Sequence, residues 1–512
     1  MTQATCRAAL AAALAVVIAV AAASAQAAAP QKPVLPAAGS GLQVDARLQG
    51  LTLEQLLHEA VAALEAGERK QAGRSLDKAL LHPDFPRLDP ELQHAVLHEA
   101  AGIAMQEGQA RHALALSQRA LALRQDEPDD WYRVATLQLH LDDPVAAAEA
   151  MTRFAQHWPT ALDSLPEGLL PEILHAPRGR GAARTALLEA LFDAGWSRNG
   201  LGADGFWVDL ASARLDAGDS AGAVEAITRA RTPSAIVRLR SDRRFDALVD
   251  RDDPRFDVAA AMTAEVARLQ ALADAQPTRL DVRMELTYAL LSAGRAADAL
   301  AEADAALADL AQFDNGNDAI WLHNNRAIAL RRLQRDDEAL AALRHASAMR
   351  EQGAINVSQV LNLGNFHASL GQPEDALRVI APVGRMSGYG RMVQALIQLR
   401  ASLQLQRQTD ADAAFAYIEA QRIDSADHYL TALLLRGEDD RAASVLAGLL
   451  DDAATRDDAL AWVQQYQRAP ALPGDAGYRR QREALLARED VQQAIAAVGR
   501  SEQHPIHALG EL

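Results

Sequence analysis

The side chains of this sequence that are equipped for chemistry are few, and most are histidines and amides. His94 and His98 stand four residues apart, so within a helix they share one face and can ligate a metal. Two ligands do not make a site, since zinc takes three or four with supporting hydrogen bonds behind them. The same pair reads equally as two ordinary, partly exposed histidines, and we expect no metal and no cofactor. His58-Glu59 and His98-Glu99 each begin the spacing of a zinc protease, but Ala62 and Gly102 stand where the second histidine belongs. There is no phosphate-binding glycine loop ending in Gly-Lys-Ser/Thr and no Gly-x-Ser-x-Gly elbow, and Cys6 is the only cysteine. Carboxylates are abundant without any pair being set apart, so glycoside cleavage by two opposed acids has no marked candidates. The expectation is a protein that is not an enzyme.

The amides point elsewhere. Asn324 and Asn325 are adjacent, Asn362 and Asn365 are three apart, and Arg331 and Arg332 follow the first pair. An amide both donates and accepts hydrogen bonds, which suits it to reading a peptide backbone, and paired guanidinium groups can meet a carboxylate. Asparagines that simply tolerate a wet surface are the other reading.

The elements that must carry these residues are marked by a recurring pattern of small side chains. Gly is followed by Ala five, nine and twelve positions on; the clearest copy lies over Asn362–Leu377, and a second runs from Gly294 through Ala299 and Ala303 to Ala306. Gly218 through Ala223 to Ala230, and Gly364, Gly371, Ala376 and Ile380, repeat it. Further copies run through Gly67, Ala72, Leu76 and Ala79, and through Gly108, Ala113 and Ala120. Trp131, Ala135, Asp142, Ala147 and Met151 form another, with Phe154 in a small-residue place. Trp207 and Ala211 precede the Gly218 copy. Ala327, Gln334, Ala339, Leu343 and Ala346 form one more, and weaker units run through Ala401, Ala413 and Tyr417 and through Gly437, Ala442 and Leu446. Gly108 and Asp142 stand 34 residues apart. Small residues let two helices approach closely, and glycine eases the turn between them.

In period and in the places of its small residues the unit resembles the tetratricopeptide repeat (TPR), a helix-turn-helix. The resemblance implies an all-α fold, an α-α superhelix in which each hairpin buries its apolar face against its neighbours. It also implies that His58, His98, Asn324, Asn325, Asn362 and Asn365 lie on the inner, concave face of first helices, with Arg331 and Arg332 one turn further along the same groove. In relatives that bind peptides, inner-face asparagines grip the backbone of an extended ligand. The Lys and Arg clamp that some relatives use for a terminal carboxylate is not reproduced in order here.

Composition agrees with helices. Apolar residues make up 49% of the 512 and aromatics only 4%, so the core is built of Ala and Leu, both strong helix formers. The net charge of -17 disfavours nucleic acid, whose phosphates require a basic surface. Many acids stand as pairs (Asp142-Asp143, Asp336-Asp337, Asp439-Asp440), where we expect them to cap a second helix and oppose its dipole.

The N-terminus has the character of a secretory signal: Arg7, an apolar run from Ala8 to Ala23, then small-residue cleavage sites at Ala23-Ser24-Ala25 and Ala25-Gln26-Ala27. A retained anchor is the other reading of that run. Cleavage would leave a chain without cysteine, exported and, in a Gram-negative cell, periplasmic. The expected organisation is a signal peptide over 1–25, a Pro- and Gly-containing linker over 26–50, a TPR-like block over 51–158 and an irregular hinge over 159–204. A longer TPR-like array over 205–465 and a capping helix and tail over 466–512 follow. The expected function is that of an exported scaffold binding a protein or peptide along an open concave face, in envelope assembly or secretion. The alternative is a wall-acting enzyme of lytic transglycosylase type, or its regulator, built on a helical superhelix. Such enzymes carry a further lysozyme-like domain, and the repeats leave little chain to build one.

Overall fold

The computed structural model describes residues 50–508, apart from 167, 177, 178, 180, 315, 317, 352, 353 and 385. The expected signal peptide with Cys6, the linker up to residue 49 and Pro177 of the expected hinge lie outside the described residues. The fold is all-α, with twenty-five α-helices and four strands of two to five residues among the described residues. None of these helices is long and apolar enough to cross a membrane.

The chain forms two compact units divided between Asn199 and Gly200. The first contains α1 (Leu53–Glu65), α2 (Arg69–Leu80), α3 (Pro90–Gln106), α4 (Ala110–Leu123), α5 (Pro128–His140) and α6 (Pro144–His157). After a 3-10 turn at Pro159–Ser164 come α7 (Leu169–His175) and α8 (Ala182–Asp193), which occupy the segment expected to be irregular. A capping box opens the first helix: the Thr52 hydroxyl accepts from the Gln55 amide, and the Gln55 side chain accepts from the Thr52 amide.

The second unit begins with α9 (Asp204–Asp216), α10 (Ser220–Thr228) and α11 (Pro233–Ser241). Two short Asp-x-Arg-Phe turns follow, in which Asp242 accepts from the Arg244 amide and Asp253 from the Arg255 amide, sinking Phe245 and Phe256 into the core. This is the junction expected between Gly218 and Gly294. The row continues through α12 (Val258–Ala275), α13 (Leu280–Ser292), α14 (Ala296–Ala308), α15 (Ala319–Arg332), α16 (Asp336–Ala348), α17 (Val357–Ser369) and α18 (Pro373–Ile380). Then come α19 (Gly388–Gln404), α20 (Gln408–Ala420), α21 (Ala426–Leu435), α22 (Asp439–Asp451), α23 (Arg456–Val463), α24 (Ala476–Leu486) and α25 (Glu489–Val498). The segment over 466–512, expected to hold a capping helix and tail, contains α24 and α25, parted at Ala487-Arg488.

One turn recurs between the helices of each hairpin. A residue in the left-handed region ends the first helix, and the next residue's amide reaches back to a carbonyl one turn and a half earlier. Gly67 (φ 74°) is followed by Glu68 N–H donating to Ala63 O, Gly294 (φ 75°) by Arg295 to Leu290 O, and Gly371 (φ 73°) by Gln372 to His367 O. Asp142, Gln334 and Gln406 adopt the same backbone without being glycine. This closure satisfies helix-end carbonyls and sends the chain back antiparallel. It also moves the cap: the N-cap is the residue after the left-handed position, and the second helix starts one residue later. Asp143 therefore does cap, accepting from the Ala146 amide, whereas Asp336-Asp337 and Asp439-Asp440 fall in the first turn and cap nothing there. They still oppose the dipole.

The small residues are where close approach demands them. Ala72, Ala79, Ala113, Ala120, Ala303, Ala339 and Ala376 are fully buried, and a Cβ on Gly364 would stand 2.4 Å from Ile380 Cγ2. In each unit a first helix packs on the next first helix, as α3 on α5, α13 on α15 and α17 on α19, and the second helices of those hairpins do not pack comparably on one another; at the end of the row a second helix, α22, does pack on α25. First helices therefore line the inner side.

Candidate functional site

In the second unit the inner side is occupied by the chain itself. α11 packs on α23, bringing the two ends of the row together. Asp457 sits between Arg238 and Arg244, and both guanidinium groups bond to it. From there a strand Gln465–Gln467, an irregular stretch over 468–475 that turns at its end and, after α24 and α25, a second strand Gln503–His507 run over the inner ends of the first helices. The two strands pair in parallel, Gln465 opposite Gln503 and Gln467 opposite His507. No strand was expected here, because both stretches are short and mostly polar. Gly474 donates its amide to Ser369 O at 2.8 Å. Asp475 accepts from the Ser369 hydroxyl at 2.9 Å and from Arg400 at 2.5 Å.

The six residues singled out as partner-binding do come to one face, and each is already engaged. Asn324 is 5% exposed and its Oδ1 accepts from Asn362 Nδ2 at 2.9 Å. Asn325 is 1% exposed and donates to the Thr287 hydroxyl at 2.6 Å and to Met284 O at 3.2 Å. Asn365 accepts from Arg400 at 2.7 Å. Arg331, buried, donates to Pro470 O, and Arg332 donates to Leu291 O and, at 3.1 Å, to Ala508 O. The expected open groove is therefore corrected for this unit. Its amides read backbone and amides of neighbouring helices, and its arginines hold the carbonyls of the C-terminal segment. Sequence periodicity places residues on a face, but it cannot show that a distant piece of the same chain lies across that face.

The open part of this face is acidic. Burial, with the Asp281 and Glu285 carboxylates adding to it, pushes Asp318 up to about 6. Burial, with Glu285 adding, also pushes the Tyr288 phenol up to about 12. A cavity of about 400 Å³ opens where the irregular stretch meets α13–α15, lined by Gly294, Arg332, Pro470 and His507 among others.

In the first unit, the expected histidine pair closes on a carboxylate. Asp130, on α5, is fully buried and accepts from His94 Nε2 at 2.7 Å and from His98 Nδ1 at 2.9 Å. Arg133 donates to Asp130 at 3.0 Å and to His98 O at 3.2 Å. Burial alone would raise the Asp130 carboxyl, but the two histidines and Arg133 outweigh it and hold it well below the usual carboxylate range. With a guanidinium in the cluster and both rings turned to one acceptor, the arrangement ties α3 to α5. No group of three or more His, Cys, Asp or Glu among the described residues is placed to hold a metal ion. The sequence signal for this cluster was the i, i+4 histidine pair, whereas its partner Asp130 carried no mark.

One trio combines the residue types of a hydrolase. The Ser425 hydroxyl lies 2.6 Å from His428 Nδ1, and Asp427 lies 3.2 Å from that same nitrogen. A proton relay needs serine and carboxylate on opposite ring nitrogens, so this trio is a helix-start network.

No protein-family model matches the chain, and no curated protein matches it. Among solved structures it is similar to a tetratricopeptide repeat protein from Parabacteroides merdae, at 13% identity and a TM-score of 0.33, covering 64% of this chain and 98% of that one. It is similar to yeast Tom70 at 13% identity and TM-score 0.30, covering 84% and 96%. It is also similar to a chain of the APC/C hetero-tetramer Cut9-Hcn1 at 12% and 0.27, covering 87% and 96%. At these scores no statement about partners passes from them to this chain. The TPR-like, all-α character rests on the chain's own hairpins, their left-handed turns and their small-residue contacts.

Proposed function

We propose that this protein is a non-enzymatic, exported scaffold that holds an extended segment of a partner protein on the inner face of its first unit. One observation carries the reading: the equivalent face of the second unit holds a non-helical segment of polypeptide by its main chain, through Arg331 on Pro470 O and Ser369 O on the Gly474 amide. Backbone recognition of this kind tolerates many sequences, which suits a scaffold. In the first unit, His58 and Glu99 stand as far before their turns as Asn362 does before Gly371, and both keep accessible surface, His58 being exposed and Glu99 half-buried. The net charge of -17 favours a protein partner over nucleic acid. Export and a place in the cell envelope are supported by the apolar run ending in Ala23-Ser24-Ala25.

Crosslinking capture from a cell-envelope fraction tests this. The full chain should retain one specific protein that His58→Ala and Glu99→Arg lose and Asn365→Ala keeps. Capture indifferent to His58 and Glu99 moves the interface off this face. Cell fractionation tests export: a mature form starting after Ala25 or Ala27 is expected, and a full-length cytoplasmic protein contradicts it.

A further inference from the structure

The tail that follows α25, from Gly499 to Ala508, is bound to the second unit in the way an added strand is bound. Gln465 donates its amide to Glu502 O at 3.0 Å. The side chain of Gln464, itself 1% exposed, contacts the tail's main chain twice, donating to Arg500 O at 2.8 Å and accepting from the Glu502 amide at 3.0 Å. It accepts a third bond from His504 Nε2 at 3.1 Å. Along the tail, His504 and Ile506 are buried while Gln503 and Pro505 face outward, so two alternate positions enter pockets. The tail adds to a closure that is also made without it: Arg500 bonds to Asp246 and Glu502 to Arg240, while Asp457 between Arg238 and Arg244 and the packing of α11 on α23 join the two ends separately.

We propose that this strand position is an exchangeable peptide site, filled here in cis by residues 499–508. In trans it takes an extended segment of a partner protein that pairs parallel to Gln465–Gln467 and places an aliphatic side chain in the Ile506 pocket. The tail is the template for that partner: an alternating segment read by its main chain, with one buried polar and one buried apolar side chain two residues apart. It enters the site at a point of very close approach. A Cβ on Gly499 would stand 2.4 Å from Ser241 O and 2.5 Å from Leu460 Cδ2, so a larger residue there dislodges the root of the tail. This site lies within the second unit and is independent of the inner face of the first.

The test uses the full chain, its Gly499→Val and Ile506→Asp variants, and a fluorescein-labelled peptide of residues 499–508 followed by anisotropy. The peptide should bind each variant at least tenfold more tightly than the parent, and the same peptide carrying Ile506→Asp should bind neither. Hydrogen exchange should show the amides of Arg500 and Glu502, which bond to Ser241 O and to the Gln464 side chain, released in both variants. Equal binding to parent and variants, released amides without peptide binding, or tail exchange between two copies seen as dimers by size exclusion would each overturn the proposal. Should neither variant fold, exchange in the parent decides. Tail amides that open locally, without denaturant dependence, support exchangeability, and amides that open only with global unfolding overturn it.

Discussion

Gly474 and Ser369 meet main chain to main chain, the Gly474 amide 2.8 Å from the Ser369 carbonyl oxygen. A Cβ on Gly474 would stand 2.2 Å from Ala368 O, a backbone atom that cannot turn aside. Gly474→Val is therefore expected to lower the stability of the second unit by about 1–3 kcal/mol, the usual scale of overpacking. Urea unfolding followed by tryptophan fluorescence reads the loss. An unchanged midpoint would show that the stretch does not lie against α17.

In the first unit, Asp130 is the acceptor on which His94, His98 and Arg133 converge. Asp130→Ala leaves a buried guanidinium without its carboxylate, which costs about 3–5 kcal/mol in comparable sites. Because the folded carboxyl lies below its unfolded value, the stabilisation is complete above the unfolded range and lost only as pH falls through the folded one. This carboxyl's share of the difference between parent and variant should then shrink only as pH falls below the ordinary Asp value of 3.8, as thermal melts taken downward from about pH 5 will show.

Asp318 carries the opposite sign. Its folded value near 6 stands above the ordinary 3.8, so the folded state binds the extra proton and this group's contribution falls as pH rises from 4 to 7. Asp318→Asn is expected to melt higher than the parent at pH 7.5, and the advantage should vanish below pH 4. A variant that melts lower at pH 7.5 would mean the carboxylate is favourably held.

Gln334 and Gln406 hold the left-handed turn position at φ 60° and 57°, where the equivalent residues are mostly glycine. A side chain in that region carries a penalty of roughly 1–2 kcal/mol. Gln334→Gly and Gln406→Gly are each expected to stabilise the second unit by about 0.5–1 kcal/mol, measured by denaturant unfolding.

The hairpins were legible in the sequence because their determinants are local. Ala299, Ala303 and Ala306 repeat at helical spacing, and the glycine before them carries the turn. The face shared by Asn324, Asn325, Asn362 and Asn365 was legible for the same reason. What covers that face was not. Pro470 meets Arg331 across 139 residues and Ala508 meets Arg332 across 176, and no periodic signal reports such a contact. The parallel strands escaped notice because Gln465–Gln467 is held by one neighbour and by Gln464 rather than by an alternating apolar run. Asp130 was lost among the many acids, since only its burial between two helices distinguishes it.

The most direct test of inner faces that hold non-helical polypeptide is photo-crosslinking in cells, with benzoylphenylalanine placed once at Glu99 and once at Gln404. Gln404 donates to Ala368 O beside Gly474. From that position the expected product is an internal link to residues 472–475, and from Glu99 a link to a separate protein. A foreign protein captured at Gln404, or no partner at Glu99, would contradict the assignment of the filled face to the second unit and the receptive one to the first.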